Sequence, residues 1–112
     1  MPRTLLTVDE SPLGISWVVD EAMQRGSHAL QHEGRVWIID PVEVDDIVDR
    51  GAALGEPAAV LQLLDRHNRD CAAVAERLGV PLLKVPDDVP GSPFDAHPVI
   101  RLPGWEETAL WR

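Results

Sequence analysis

Residues 60–80 read Val60-Leu-Gln-Leu-Leu-Asp-Arg-His-Asn-Arg-Asp70-Cys-Ala-Ala-Val-Ala-Glu-Arg-Leu-Gly-Val80. An apolar run passes directly into a polar cluster, and the cluster passes directly into a helical pattern. Residues 58–64 are apolar apart from Gln62 and short enough for a buried strand. From Cys71 the period changes. Cys71, Val74, Ala75 and Leu78 recur at i, i+3, i+4 and i+7, which places them on one helical face. Asp70 stands at the N-cap position and Gly79 at the position where a left-handed residue closes a helix. The stretch therefore predicts strand, polar turn and helix over about 70–79.

The flanks repeat the alternation. Residues 35–40, Arg-Val-Trp-Ile-Ile-Asp, contain four consecutive apolar residues, as expected of a strand buried on both faces. Pro41 ends it. Val44, Ile47, Val48 and Gly51 share one helical face, so residues 43–54 are predicted helical, closed by Gly55 and Pro57. Residues 14–19 and 80–85 read as strands, with a second early strand around Ala29 and Leu30. Residues 20–27 read as a turn or irregular link. Pro86, Pro90, Pro93 and Pro98 make 86–98 a loop, and residues 99–102 and 108–111 read as final strands around Pro103-Gly104-Trp105. Strand–helix alternation predicts an α/β layered domain with a mixed sheet and two main helices.

Bulk properties narrow the function classes. At 112 residues the chain forms one domain, 1–112, with one core. Its net charge of −9 repels nucleic-acid phosphates and anionic membranes. No apolar run approaches the ~20 residues of a membrane-spanning helix. Residues 1–10 lack the apolar stretch of a signal peptide, and the single Cys71 forms no internal disulfide. The expectation is a cytoplasmic protein with neither nucleic acid nor membrane as partner.

The segment from Gly34-Arg-Val-Trp-Ile-Ile-Asp40 through the helix, the second apolar strand, the polar cluster and Leu78-Gly79-Val80-Pro81 resembles the first half of a metallo-β-lactamase-fold hydrolase. That resemblance implies half of an α/β/β/α sandwich, and it covers the chain from residue 29 onward. The family's H-x-H-x-D-H motif falls on Arg66-His67-Asn68-Arg69-Asp70-Cys71, and its later P-G-H segment on Pro103-Gly104-Trp105. Only Asp70 and Cys71 keep donor chemistry at these positions. Arg66 is a permanent cation, Asn68 a weak neutral ligand, and the Trp105 indole donates only. Zinc centres of this type require three or more histidine, cysteine or carboxylate ligands.

The resemblance thus implies a non-catalytic member of the fold, with a binding or structural role and no cofactor. The alternative is a hydrolase of small ester-like or thioester-like substrates. In that case zinc or another divalent metal would be held by His67, Asp70 and Cys71, and a second chain would complete the site. A half-sandwich exposes a sheet face and an edge. The expected partner is therefore a second copy, or another chain supplying the missing layer; a third reading of function is that the chain is a fragment of a longer protein and its function is not contained in these residues.

Individual residues carry competing readings. Cys71 lies on the apolar stripe of its helix and reads as core, and Asp70 reads as a helix cap. Arg66, His67, Asn68 and Arg69 are candidates for binding an anion, because guanidinium forks match phosphate and carboxylate; the competing reading is a solvated ion-pair cluster with Asp65 and Asp70. His28 and His32 would share a strand face with Leu30, either as a metal pair or as exposed hairpin residues. His97 carries no signature. Trp37 reads as core, while Trp17 is left between a ligand pocket and an interface. Trp105 and Trp111 are the interface candidates.

Overall fold

The computed structural model describes residues 5–19, 26–44, 46–63, 70–86, 89, 92, 94–102 and 105–111. Its elements are β1 (Leu5–Ser11), β2 (Gly14–Val19), β3 (Gly26–His32), β4 (Arg35–Ile39), α1 (Ile47–Ala52), β5 (Glu56–Gln62), α2 (Cys71–Leu78), β6 (Leu82–Lys84), β7 (Asp95–Leu102) and β8 (Trp105–Trp111). Six strands form one mixed sheet in the order β1-β2-β3-β4-β5-β6, and β7 and β8 pair separately. The first four strands run antiparallel, and β4, β5 and β6 run parallel. The radius of gyration, 13.3 Å, equals that of a folded domain of this length.

Local chemistry sets the hairpins. Glu33 and Gly34 both take positive φ, 50° and 78°, giving the two-residue turn whose twist matches the flanking strands. Gly14 opens β2 at φ 147°, where a Cβ would stand 1.9 Å from the Ala29 carbonyl oxygen. Only glycine allows β3 to approach there.

Both helices cover one face of the sheet. Ile47 and Val48 of α1, and Cys71, Val74 and Ala75 of α2, share a core cluster with Ile15, Trp17, Ala29, Val36, Ile38 and Val60. Two crossovers moving the same way across the sheet with the same hand must put their helices on the same side. The other face buries Trp37, Ile39, Ala59 and Leu61 against Val89 and Phe94, with Ala96 and Leu110 of the β7–β8 hairpin packed on them. Phe94 meets Trp37 edge-to-face, with ring centroids 5.6 Å apart. The layers are therefore helices, six-stranded sheet and hairpin. β4 and β5 lie between two apolar layers, which accounts for their unbroken apolar runs.

Several elements depart from the sequence expectation. Residues 5–11 form an unanticipated edge strand. Asp9 and Glu10 are exposed there, and such charges dilute the apolar signal of an edge. Gly26 and Ser27, read as an irregular link, already belong to β3. The helix expected over 43–54 spans only Ile47–Ala52. Val42 and Glu43 are held instead by tertiary bonds. The Val42 carbonyl accepts Trp17 Nε1–H at 2.9 Å, the Val42 N–H donates to Ser27 Oγ at 3.1 Å, and the Glu43 N–H donates to Asp70 Oδ2 at 2.7 Å. The apolar face was placed correctly, since Val44, Ile47, Val48 and Gly51 are all buried. Finally, the loop expected to reach residue 98 gives way to β7 at Asp95, with Pro98 next to a register shift, where a strand tolerates a missing donor. Trp105, expected in a turn, begins β8.

Candidate functional site

The parallel strands β4 and β5 end side by side, and the carboxyl ends of such strands are where layered α/β domains gather binding residues. Asp40 follows β4 with φ 47°, a left-handed conformation that aspartate tolerates better than most residues. It is buried, and all its backbone polar groups are used. Its N–H donates to the Leu61 carbonyl at 2.8 Å, and its carbonyl accepts Ser27 Oγ–H at 2.8 Å. Asp40 Oδ1 accepts the Leu63 N–H at 3.0 Å. At the end of β5, buried Gln62 offers its carbonyl to the Val85 N–H at 2.6 Å.

Asp70 occupies the N-cap position of α2, but its carboxylate makes no capping bond. This corrects the expectation of side-chain capping. The carboxylate reaches instead to the Glu43 N–H at 2.7 Å, and the Asp70 N–H donates to the Pro41 carbonyl at 3.2 Å. Gly79 closes the helix at φ 68°, as its position predicted. Leu63 and Asp70 are both fastened to residues 40–43. Arg66, His67, Asn68 and Arg69, the candidates for anion binding, lie between these points and outside the described residues.

Cys71 is 1 % exposed and belongs to the helix-side core. Its thiol is packed with Val74 and its neighbours, whereas the Asp70 carboxylate faces the β4–α1 connection. Adjacent in sequence, the two side chains serve different surroundings. Among the described residues, no three His, Cys, Asp or Glu side chains are grouped to hold a metal ion.

Two further ties fix the connection. Arg77 of α2 reaches Asp49 Oδ1 at 2.5 Å and also pairs with the Glu43 carboxylate. Asp49 first, then Glu43, push the Arg77 guanidinium still further above its usual range. Glu43 is therefore held through its backbone by Asp70 and through its side chain by Arg77. Asp40 and Glu43 were not singled out by sequence. For Asp40 the available signal was a lone carboxylate ending an apolar strand before Pro41.

The remaining candidates separate. His28 faces away from the helix layer, like Leu30, and its Nδ1 bonds Ser16 Oγ at 2.7 Å. His32 lies 3.7 Å from the Glu33 carboxylate. Four residues along a strand put the two histidines about 13 Å apart, too far to share an ion. Trp17 and Trp37 are both 1 % exposed and belong to the two cores. Trp105 and Trp111 contribute backbone to β8, but their side chains, like that of His97, lie outside the described residues. A cavity of about 320 Å³ lies between the sheet and the hairpin, lined by apolar side chains including Leu30, Ile39, Phe94 and Leu110, with His28 on its wall.

Comparison with protein-family models and with curated proteins finds no match to this chain. Among the described residues, no helix is long and apolar enough to cross a membrane.

Proposed function

We propose that this chain is a non-catalytic, metallo-β-lactamase-like half domain that serves a binding role, with an anion taken up by the Arg66–Arg69 segment. The observation that carries the reading is the reassignment of the surviving motif donors. The Asp70 carboxylate accepts the Glu43 N–H, and the Cys71 thiol is buried in the helix-side core. With Arg66, Asn68 and Trp105 at the other motif positions, these residues do not fit a zinc centre, which takes three or four nitrogen, sulfur or carboxylate donors. No chemical step is therefore routed through a metal. The mixed six-stranded sheet with two helices is compatible with the α/β class expected of such a half domain. The sheet face expected to lie open is covered here by Ala96 and Leu110 of the hairpin, so the partner reading rests on the sheet edges, of which β1 is one.

Elemental analysis of the purified protein, combined with mass by light scattering, tests this. The expected result is no stoichiometric metal and a mass above that of the monomer. Zinc, iron or manganese at one equivalent per chain would favour a hydrolase completed by a second chain, and a clean monomer at high concentration would remove the partner surface.

A further inference from the structure

The β7–β8 hairpin packs on β4 and β5 through Ala96 and Leu110. Beside that contact, over β3, the cavity of about 320 Å³ stays open between the two layers. Leu30, Ile39, Leu63, Phe94 and Leu110 make its wall apolar. Leu13, 50 % exposed, carries the apolar lining out to solvent. His28, also exposed, is the one polar side chain of the lining among the described residues.

The wall is fixed piece by piece. Phe94 is held edge-to-face on Trp37, with ring centroids 5.6 Å apart, which keeps its ring out of the space. Ser16 Oγ bonds the His28 Nδ1 at 2.7 Å. The Leu13 carbonyl accepts the Gln31 N–H at 2.8 Å, and the Leu63 N–H donates to Asp40 Oδ1 at 3.0 Å. A ligand entering such a space meets a formed site and has little of the protein to order.

Size and chemistry define the ligand. An apolar cavity of about 150 Å³ takes up benzene, so this one, at about 320 Å³, has room for two fused rings. No acid or base other than His28 lines it among the described residues. A charged group would therefore lose its hydration with little in return, and the net charge of −9 opposes an anion. We propose that the cavity is a binding site for a neutral, mostly apolar molecule of one or two rings bearing a single hydroxyl. The rings lie among Leu30, Ile39, Phe94 and Leu110, and the hydroxyl lies on the His28 side. This site uses none of the residues of the anion reading and stands independently of it.

Equilibrium dialysis of the full chain against 2-naphthol, naphthalene and 2-naphthoate tests the site. 2-Naphthol is expected to bind saturably at one equivalent per chain, and 2-naphthoate about a hundredfold more weakly, because its charge is stranded. Leu110→Trp is expected to weaken 2-naphthol about tenfold by occupying the ligand's volume. Leu30→Phe fills the space from the sheet side and serves the same purpose if Leu110→Trp does not fold. His28→Phe keeps a ring and removes the polar edge, so it is expected to weaken 2-naphthol about fivefold and to leave naphthalene unchanged. Absence of saturable 2-naphthol binding by the unsubstituted chain would overturn the site. So would unchanged binding in a filled variant that keeps its circular dichroism, since the ligand then sits elsewhere. 2-Naphthoate binding as tightly as 2-naphthol would overturn the neutral-ligand class, and equal effects of His28→Phe on naphthalene and 2-naphthol would overturn the placing of the hydroxyl.

Discussion

Asp70 Oδ2 accepts the backbone N–H of Glu43 at 2.7 Å, joining the first residue before α2 to the connection that precedes α1. The bond spans 27 positions of sequence and fixes the connection ahead of α1. Removing the acceptor strands a part-buried amide, and a hydrogen bond to a charged group contributes about 1.5–3 kcal/mol. Asp70→Ala is therefore expected to lower stability by about 2 kcal/mol and Asp70→Asn by less than half of that. Urea denaturation followed by circular dichroism decides it. Equal losses in the two variants would mean that the charge matters and the acceptor does not.

Cys71 predicts a chemical behaviour. A thiol 1 % exposed in an apolar cluster acts as a small hydrophobe. Native protein should react with a thiol reagent at least a hundredfold more slowly than protein in denaturant. Cys71→Ala should cost roughly 1 kcal/mol and Cys71→Ser more, since a buried hydroxyl is harder to satisfy. Fast native labelling would place the thiol at a surface and reopen its use as a ligand.

Gly51 packs α1 directly onto β3. A Cβ at this position would stand 2.7 Å from the Ala29 Cβ. Helix propensity alone favours alanine over glycine, so Gly51→Ala tests whether contact overrides propensity. A loss of about 1–3 kcal/mol is expected from overpacking. Adding Ala29→Gly should recover part of that loss, a non-additivity measurable by thermal denaturation in a double-mutant cycle. Additive effects would show that the two residues do not meet.

Arg77 ties α2 to Asp49 and Glu43 at a surface where its own side chain is 41 % exposed. Solvent screening limits such pairs to about 0–1 kcal/mol. Arg77→Gln is expected to cost roughly 0.5 kcal/mol at low salt, with the difference shrinking as salt rises. Asp49, ahead of Glu43, raises the Arg77 pKa in the folded state. A raised folded pKa gives stability that is fully present below the unfolded value and lost only above the folded one. The contribution should stay constant with respect to this group through neutral pH and fade only in strong alkali. A salt-independent loss would point to packing by the arginine stem instead.

Local pattern alone carried much of the fold. The apolar run at 35–40, the stripe of Cys71, Val74, Ala75 and Leu78, and the glycine closing α2 are short-range properties, and each is found in the expected place. Alternation of strand and helix also implied the mixed sheet with two helices. The edge strand β1 was not legible, because it depends on pairing with β2 more than on its own apolar content. The start of α1 was not legible either, because the groups that hold Val42 and Glu43 come from Ser27, Trp17 and Asp70.

The same division runs through the candidate site. Sequence by itself determined which donors stand at the junction: a cation at 66, an amide at 68, a carboxylate at 70 and a thiol at 71. Only the tertiary structure decided where Asp70 and Cys71 point. Consecutive residues at the start of a helix face directions about 100° apart, so one reaches the β4–α1 connection while the other enters the core. Asp40, silent in the sequence, became a structural partner because parallel pairing brings the ends of β4 and β5 together. Periodicity is a property of neighbours along the chain, and these contacts are made between residues that folding alone makes neighbours.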